Sequence, residues 1–268
     1  MTARPITFLS DYGADDEFAG VCRAVIAGIA PAAPIIDLSH GVPPGDVRRG
    51  AVMLLDALPY APEGVHLAVV DPGVGTARRA VAIRAADADR ILVGPDNGLL
   101  WAALERFGGP ADAVALSASP FRLEPVSATF HGRDLFAPVA ARLALGAGLD
   151  EAGEPLDPGS LHRLELPAAT SEGDRIVTEV VRVDRFGNVS LSATLEHLDR
   201  DLAAGGQAVV EAGGHALEAA LATTFADVSE GEALLYATSS GRLALGVNRG
   251  SAAGELGLGV GDEVVIRR

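Results

Sequence analysis

VHLAVVDPGVGTARR, residues Val65 to Arg79, is an apolar run that stops abruptly at a carboxylate. Val65–Val70 reads as a buried strand, and Asp71 follows it. Pro72, Gly73, Val74, Gly75 and Thr76 then make a stiff turn, with Arg78 just beyond. A buried strand that delivers an acid to its carboxyl end, beside a glycine-rich loop and an arginine, is where α/β enzymes place their chemistry. Asp-Pro-Gly is equally a plain turn sequence, so the segment gains functional weight only from partners elsewhere in the chain.

Working outward, the first half alternates strand and helix. Ile6–Leu9, Ile35–Leu38, Ala80–Ile83 and Ile91–Val93 read as short strands. Asp15–Ile29, Asp46–Leu58, Leu99–Arg106 and Asp134–Leu145 read as helices. Asp15, Asp16 and Glu17 suit a helix N-terminus, and Asp46 is a candidate N-cap. This alternation predicts an α/β layered sheet. Between about Gly146 and Gly173 the pattern dissolves into an acidic, Pro- and Gly-containing stretch expected to be a linker. Beyond it, Arg175–Val183, Ala208–Ala212, Ala233–Ala237, Leu243–Val247 and Glu263–Arg267 read as strands separated by Gly-rich turns. They predict a smaller β domain, a barrel or a sandwich. The expected division is residues 1–160 and 161–268.

Composition narrows the chemistry. The chain has 268 residues, 49% of them hydrophobic, so it can bury a sizeable core. A net charge of −15 argues against nucleic acid or an anionic membrane as partner. All 21 basic residues are Arg, which excludes a lysine Schiff base and the phosphate-loop lysine of Walker-type NTPases. The single Cys22 excludes an intramolecular disulfide and any multi-cysteine metal site. Apolar runs fall short of the ~20 residues that span a bilayer, and MTARPITFLSDYG has no signal-peptide hydrophobic region. A cytoplasmic protein is expected.

Four motifs stand at the ends of these elements. In LSDYGADDE, Asp11 follows a strand directly; its two oxygens suit a vicinal diol, although a turn-forming role is open. Asp71 and Arg78 make the second motif. In FHGRDLF, His131 precedes Gly132 at a helix entry. In VDRFGN, Asp184, Phe186 and Asn188 surround Gly187; Asn matches the edge of an adenine and Phe offers it a flat face, unless the motif is a β-turn alone. Neither a Walker A nor a dinucleotide GxGxxG pattern is present. His40 and the acidic residues have no metal-site spacing such as HExxH.

Taken in order, LSDYG, VVDPGVGTAR, PDNGLL (Pro95–Leu100), FHGRDLF, VDRFGNV, TFADV (Thr224–Val228) and SSGRLALGVNRGSAA resemble the S-adenosylmethionine (SAM) hydroxide adenosyltransferases. These are adenosine-forming SAM hydrolases related to the fluorinase and chlorinase. The resemblance covers nearly the whole chain. It implies an N-terminal α/β/α layered domain with a central mostly parallel sheet, followed by a C-terminal β-barrel-like domain. It also implies a homotrimer with sites between subunits, SAM as substrate, adenosine and L-methionine as products, and no cofactor or metal. The family's Asp, Arg and His fall on Asp71, Arg78 and His131. The halogenases carry Tyr at the position of Asp71 and lack the His at 131. The hydroxyl residue that holds fluoride is replaced here by Gly132, and the fluorinase insertion near Ala85–Arg90 is missing. The resemblance further implies Asp11 on the ribose diol and Asn188 on adenine, with Phe186, Phe225 and the backbone at Val247 nearby. Asp184 and Ser239 would meet the methionine amino-acid group.

The implied reaction is attack of water on the ribose 5′ carbon in line with the departing sulfur. Of the two proton acceptors, an imidazole with an unperturbed pKa of ~6.5 matches neutral pH better than a carboxylate paired with arginine. His131 is therefore expected to take the proton and Asp71 to position the water, with Arg78 orienting both. A halide-using adenosyltransferase, a metal-dependent hydrolase and a SAM or adenosine sensor are the competing expectations.

Overall fold

The computed structural model describes residues 3–198 and 206–267, which divide into two compact units, Met1–Glu165 and Leu166–Arg268. In the first unit the strands β1 (Ile6–Ser10), β2 (Ile35–Ser39), β3 (Gly64–Val69), β4 (Ala80–Ala85), β5 (Arg90–Pro95), β6 (Pro110–Ala115) and β7 (Glu154–Leu156) form one sheet of order β2-β1-β3-β5-β4-β6-β7. β2, β1, β3 and β5 pair in parallel, while β4, β6 and β7 continue by antiparallel pairing. Five of the seven strands thus run one way, and the sheet is mostly parallel.

β1, β3 and β5 are buried along their whole length, because side chains on both faces are covered. On one face, Phe8, Leu67 and Val93 pack with Cys22 and Ile26 of helix α1 (Phe18–Ile29) and with Val139 and Leu143 of α4 (Ala137–Ala144). On the other, Leu9, Ala68 and Leu92 meet Leu54 of α2 (Val47–Ala57) and Leu104 of α3 (Trp101–Arg106). Asp46 caps α2 as expected, its side chain accepting from the Arg49 N–H at 2.9 Å.

Three local expectations need correction. α1 begins at Phe18, so Asp15, Asp16 and Glu17 precede the helix and none lies in its first turn. The helix expected from Asp134 starts earlier, as a π-helical turn over Gly132–Phe136 that runs into α4. The stretch expected as a linker, 146–173, is largely built in. It holds the short helix α5 (Leu149–Ala152), strand β7 on the edge of the sheet, and β8 (Thr170–Glu172) in the second unit.

The second unit is a closed barrel. Strands β9 (Arg175–Val183), β10 (Val189–Thr194), β11 (Gln207–Ala212), β12 (His215–Leu221), β13 (Ala233–Ala237), β14 (Arg242–Val247) and β15 (Glu263–Arg267) pair in the order β10-β14-β13-β12-β11-β15-β9. β9 returns to β10, and β8 is added outside β9. Closure leaves the ring itself without a free edge. Ile176, Val180, Leu191, Leu235, Leu245 and Ile266 fill its interior, and helix α6 (Ala252–Leu256) packs Ala252 and Leu256 against the same core.

Candidate active site

Parallel pairing brings chemistry to one edge of the first unit. β1, β3 and β5 are neighbours that run the same way, so Asp11, Asp71 and Asn97, just beyond their carboxyl ends, share that edge. β4 is antiparallel to β5, which puts its beginning, and Arg78 and Arg79 before it, on the same side. Asn97 fastens this edge: its Nδ2 donates to the Val70 carbonyl at 2.9 Å, one residue before Asp71, while its Oδ1 accepts from the Leu99 N–H.

The DPGVG turn returns Arg78 to Asp71. Val74 N donates to Asp71 O, and the Thr76 hydroxyl donates to the Gly73 carbonyl at 2.7 Å. Gly75 has a φ of +75°, and a Cβ there would lie 2.4 Å from the Ala128 carbonyl. Only glycine lets this turn press against the segment that leads into His131. Arg78 Nε then donates to Asp71 Oδ1 at 2.9 Å, and Nη2 donates to Asp71 Oδ2. Both side chains are nearly covered, 8% and 6% exposed, so little solvent screens the pair. The guanidinium also stands over the Phe136 ring at 5.5 Å.

His131 completes the chain of contacts. Arg78 Nη2 lies 3.1 Å from His131 Nδ1. Arginine has donors only, so Nδ1 is the acceptor and the neutral ring carries its proton on Nε2. Burial, then the Arg78 charge, push the imidazole below its ordinary pKa, against an opposing pull from Asp71 and Asp134. The ring is therefore neutral at pH 7. Arg78 Nη1 is buried with no protein partner among the described residues. Asp134, in the π-helical turn, anchors the approach to His131 by accepting from Ser127 N at 2.8 Å and from Arg133.

Asp11 sits beside this group. Its Oδ2 accepts from Gly45 N at 2.9 Å; burial raises its pKa, the hydrogen bonds to Gly45 and its own N–H oppose that, and the Asp71 charge adds to the rise. Ser10 and His40 join behind it through a 2.7 Å Oγ–Nδ1 hydrogen bond.

In the barrel, Asp184 organises its own loop. Its Oδ1 accepts from Phe186 N and Asn188 N, and its Oδ2 accepts from Asn188 Nδ2 at 2.9 Å. The carboxylate expected at an amino-acid group thus aims the Asn188 amide. Asn188 and Phe225 both press on Gly246: a Cβ there would lie 3.0 Å from Asn188 Oδ1 and 2.8 Å from Phe225 Cε1. Tyr236 packs on Phe225 with ring centroids 5.3 Å apart. Phe186 does not join them as a buried wall; it is 64% exposed, under the Arg185 guanidinium. Ser239 is exposed in the turn between β13 and β14, and Val247 is buried at the end of β14. Sequence reasoning passed over Asn97, Gly246, Tyr236 and Tyr12; Asn97, Gly246 and Tyr12 lie within the motifs PDNGLL, SSGRLALGVNRGSAA and LSDYG, while Tyr236 carried no signal. Among the described residues no three His, Cys, Asp or Glu side chains stand close enough to hold a metal ion, and no helix is long and apolar enough to cross a membrane.

A carboxylate, a guanidinium and an imidazole joined in one chain at the carboxyl edge of a mostly parallel sheet define an enzyme of the α/β class, here with a β-barrel appended. Residues 6–153 match the family model described as the SAM hydroxide adenosyltransferase N-terminal domain, and residues 178–265 match the C-terminal one. The chain belongs to the SAM hydroxide adenosyltransferase family. It is 50% identical over 97% of its length, and 96% of the relative's, to an (R)-S-adenosyl-L-methionine hydrolase of Salinispora tropica. It is 30% identical to a fluorinase of Actinopolyspora mzabensis, covering 99% of this chain and 98% of that one. A crystal structure of an uncharacterized conserved protein from Thermotoga maritima superposes with a TM-score of 0.90 at 38% identity, covering 98% of this chain and all of the other.

Proposed function

We propose that this chain hydrolyses SAM to adenosine and L-methionine by attack of water on the ribose 5′ carbon. The observation that carries the reading is the buried hydrogen-bonded chain Asp71–Arg78–His131 at the carboxyl edge of the sheet. The sulfonium departs as a neutral thioether and needs no acid. The site has only to hold water in line and receive one proton.

The tautomer reassigns the proton. With Nδ1 accepting from Arg78 and the ring proton on Nε2, His131 is a donor to the water oxygen, and Asp71 is the acceptor. Each Asp71 oxygen keeps a second lone pair beside its bond to Arg78. A carboxylate is a weak base, but water becomes strongly acidic as its oxygen bonds to carbon, so a weak base suffices once attack is under way. Arg78 holds the Asp71 carboxylate and the His131 ring in place for these two roles. The Asp71 carboxylate and the sulfonium cancel each other's charge as the proton moves, which a water-poor site favours over separated hydrated ions.

In the same reading Asp11 grips the ribose diol with the oxygen that Gly45 leaves available. Asn188, Phe225 and Val247 receive adenine, with Phe186 covering it, and Asp184 and Ser239 serve the methionine end. The working enzyme is a homotrimer without cofactor or metal. Asp71 and His131 favour water over halide as nucleophile. Purified protein incubated with SAM, with and without chloride, tests this by mass spectrometry. Adenosine and methionine in both samples are expected; 5′-chloro-5′-deoxyadenosine as the main product with chloride would replace this reading by the halogenase one.

A further inference from the structure

The Tyr12 hydroxyl lies where a side chain at position 132 would have to be. A Cβ built on Gly132 would stand 2.0 Å from Tyr12 Oη and 3.0 Å from its Cζ. The glycine is therefore required by a neighbouring side chain, in the residue directly after His131. Tyr12 follows Asp11 at the end of β1, and its ring is held against Phe8, Phe18 and Phe130 at centroid distances of 6.4, 6.0 and 5.9 Å. Burial and the charges around it, Asp11 and Asp71 among them, raise its pKa strongly, so it stays a neutral phenol. Among the described residues its hydroxyl has no hydrogen-bond partner. A phenol hydroxyl without a protein partner is available to a ligand, to which it can both donate and accept.

We propose that Tyr12 is a further residue of the nucleophile site, its hydroxyl oxygen accepting the O–H that the attacking water keeps. The proposal rests on the hydrolase reading. The water oxygen bonds to C5′, the C5′–S electron pair leaves with sulfur, one proton passes to Asp71 and the other stays as the 5′-hydroxyl proton. Tyr12 neither gains nor loses a proton. It fixes the second O–H, so that the remaining lone pair points at carbon while His131 and Asp71 hold the rest of the water. Gly132 is the counterpart: the phenol from the end of β1 supplies the group that residue 132 has no room to carry.

Tyr12→Phe, Gly132→Ser and the double variant, compared with wild type for SAM turnover, test the assignment. Tyr12→Phe keeps the ring packing and is expected to lower kcat roughly tenfold, the worth of one hydrogen bond. The KM for SAM, the thermal midpoint and the apparent pKa of the pH profile should stay unchanged. Gly132→Ser alone should be impaired, since its side chain meets Tyr12. In the double variant the serine side chain enters the room left by the phenol oxygen, and kcat should exceed that of Tyr12→Phe. Wild-type kcat in Tyr12→Phe, a loss confined to KM, or a double variant no faster than Tyr12→Phe would overturn the assignment alone. No adenosine from wild type would remove the hydrolase reading, and this assignment with it.

Discussion

Arg78 donates to both Asp71 and His131, and its 3.1 Å contact with His131 Nδ1 makes the imidazole an acceptor on that side. A protonated ring would turn an N–H toward a guanidinium that has nothing to accept it with. Acid therefore breaks the chain at this contact. Burial and Arg78 hold the His131 pKa below its ordinary value. Adenosine formation should be flat at pH 7 to 8 and fall on acidification, with an apparent pKa below ~6.5. A profile still rising above pH 7 would contradict the neutral donor ring. His131→Ala should lower kcat about a hundredfold or more.

Removing one partner of the Asp71–Arg78 pair leaves a covered charge alone. Asp71→Asn and Arg78→Met should each cost roughly 3–5 kcal/mol of stability and, while still folded, lower kcat by about two orders of magnitude. Urea unfolding and single-turnover assays measure the two effects separately. Stability or turnover near wild type would remove that residue from the role given to it.

The hydrogen bonds of Asp184 to the Asn188 backbone and amide make the two residues one unit. Asn188→Ala and Asp184→Ala should both raise the KM for SAM, with a smaller effect on kcat; Asp184→Ala, which loses the methionine contact as well, should cost more, and the double variant should be little worse than Asp184→Ala alone. Additive losses would show that Asp184 does not position Asn188 for its substrate contact.

A separate acid sensitivity lies in the sheet. His66 is buried between Thr7 and Arg90: Nε2 accepts from Arg90 at 3.0 Å, and Nδ1 donates to Thr7 at 2.9 Å. Burial, with the Arg90 and Arg4 charges, lowers its pKa to about 3. The unfolded chain takes up this proton near pH ~6.5 and the folded one does not, so stability is full above that pH. It should decline by up to about 1.4 kcal/mol per pH unit on acidification. His66→Gln should flatten the dependence between about pH 6.5 and pH 3, as read from urea midpoints.

What the sequence made legible follows from where its apolar runs stop. Ile6–Leu9 and Val65–Val70 end in Asp11 and Asp71 because buried strands surface at the sheet edge, and that placed the acids without coordinates. β12 was illegible for the opposite reason. HALEAAL is rich in helix formers, and only pairing with β11 and β13 holds it extended. β6 and β7 are short edge elements with exposed polar positions, and they give little periodicity to read. The Tyr12–Gly132 approach and the His131 tautomer are properties of packing between distant segments. No local pattern encodes either one.

The central claim is that water attacks the ribose 5′ carbon under the control of Asp71, Arg78 and His131. Turnover of SAM in ¹⁸O-labelled water, with the products resolved by mass spectrometry, tests it most directly. The account predicts one ¹⁸O in the adenosine, located at the 5′ oxygen, and none in the methionine. Unlabelled adenosine, or cleavage at any bond other than C5′–S, would contradict it.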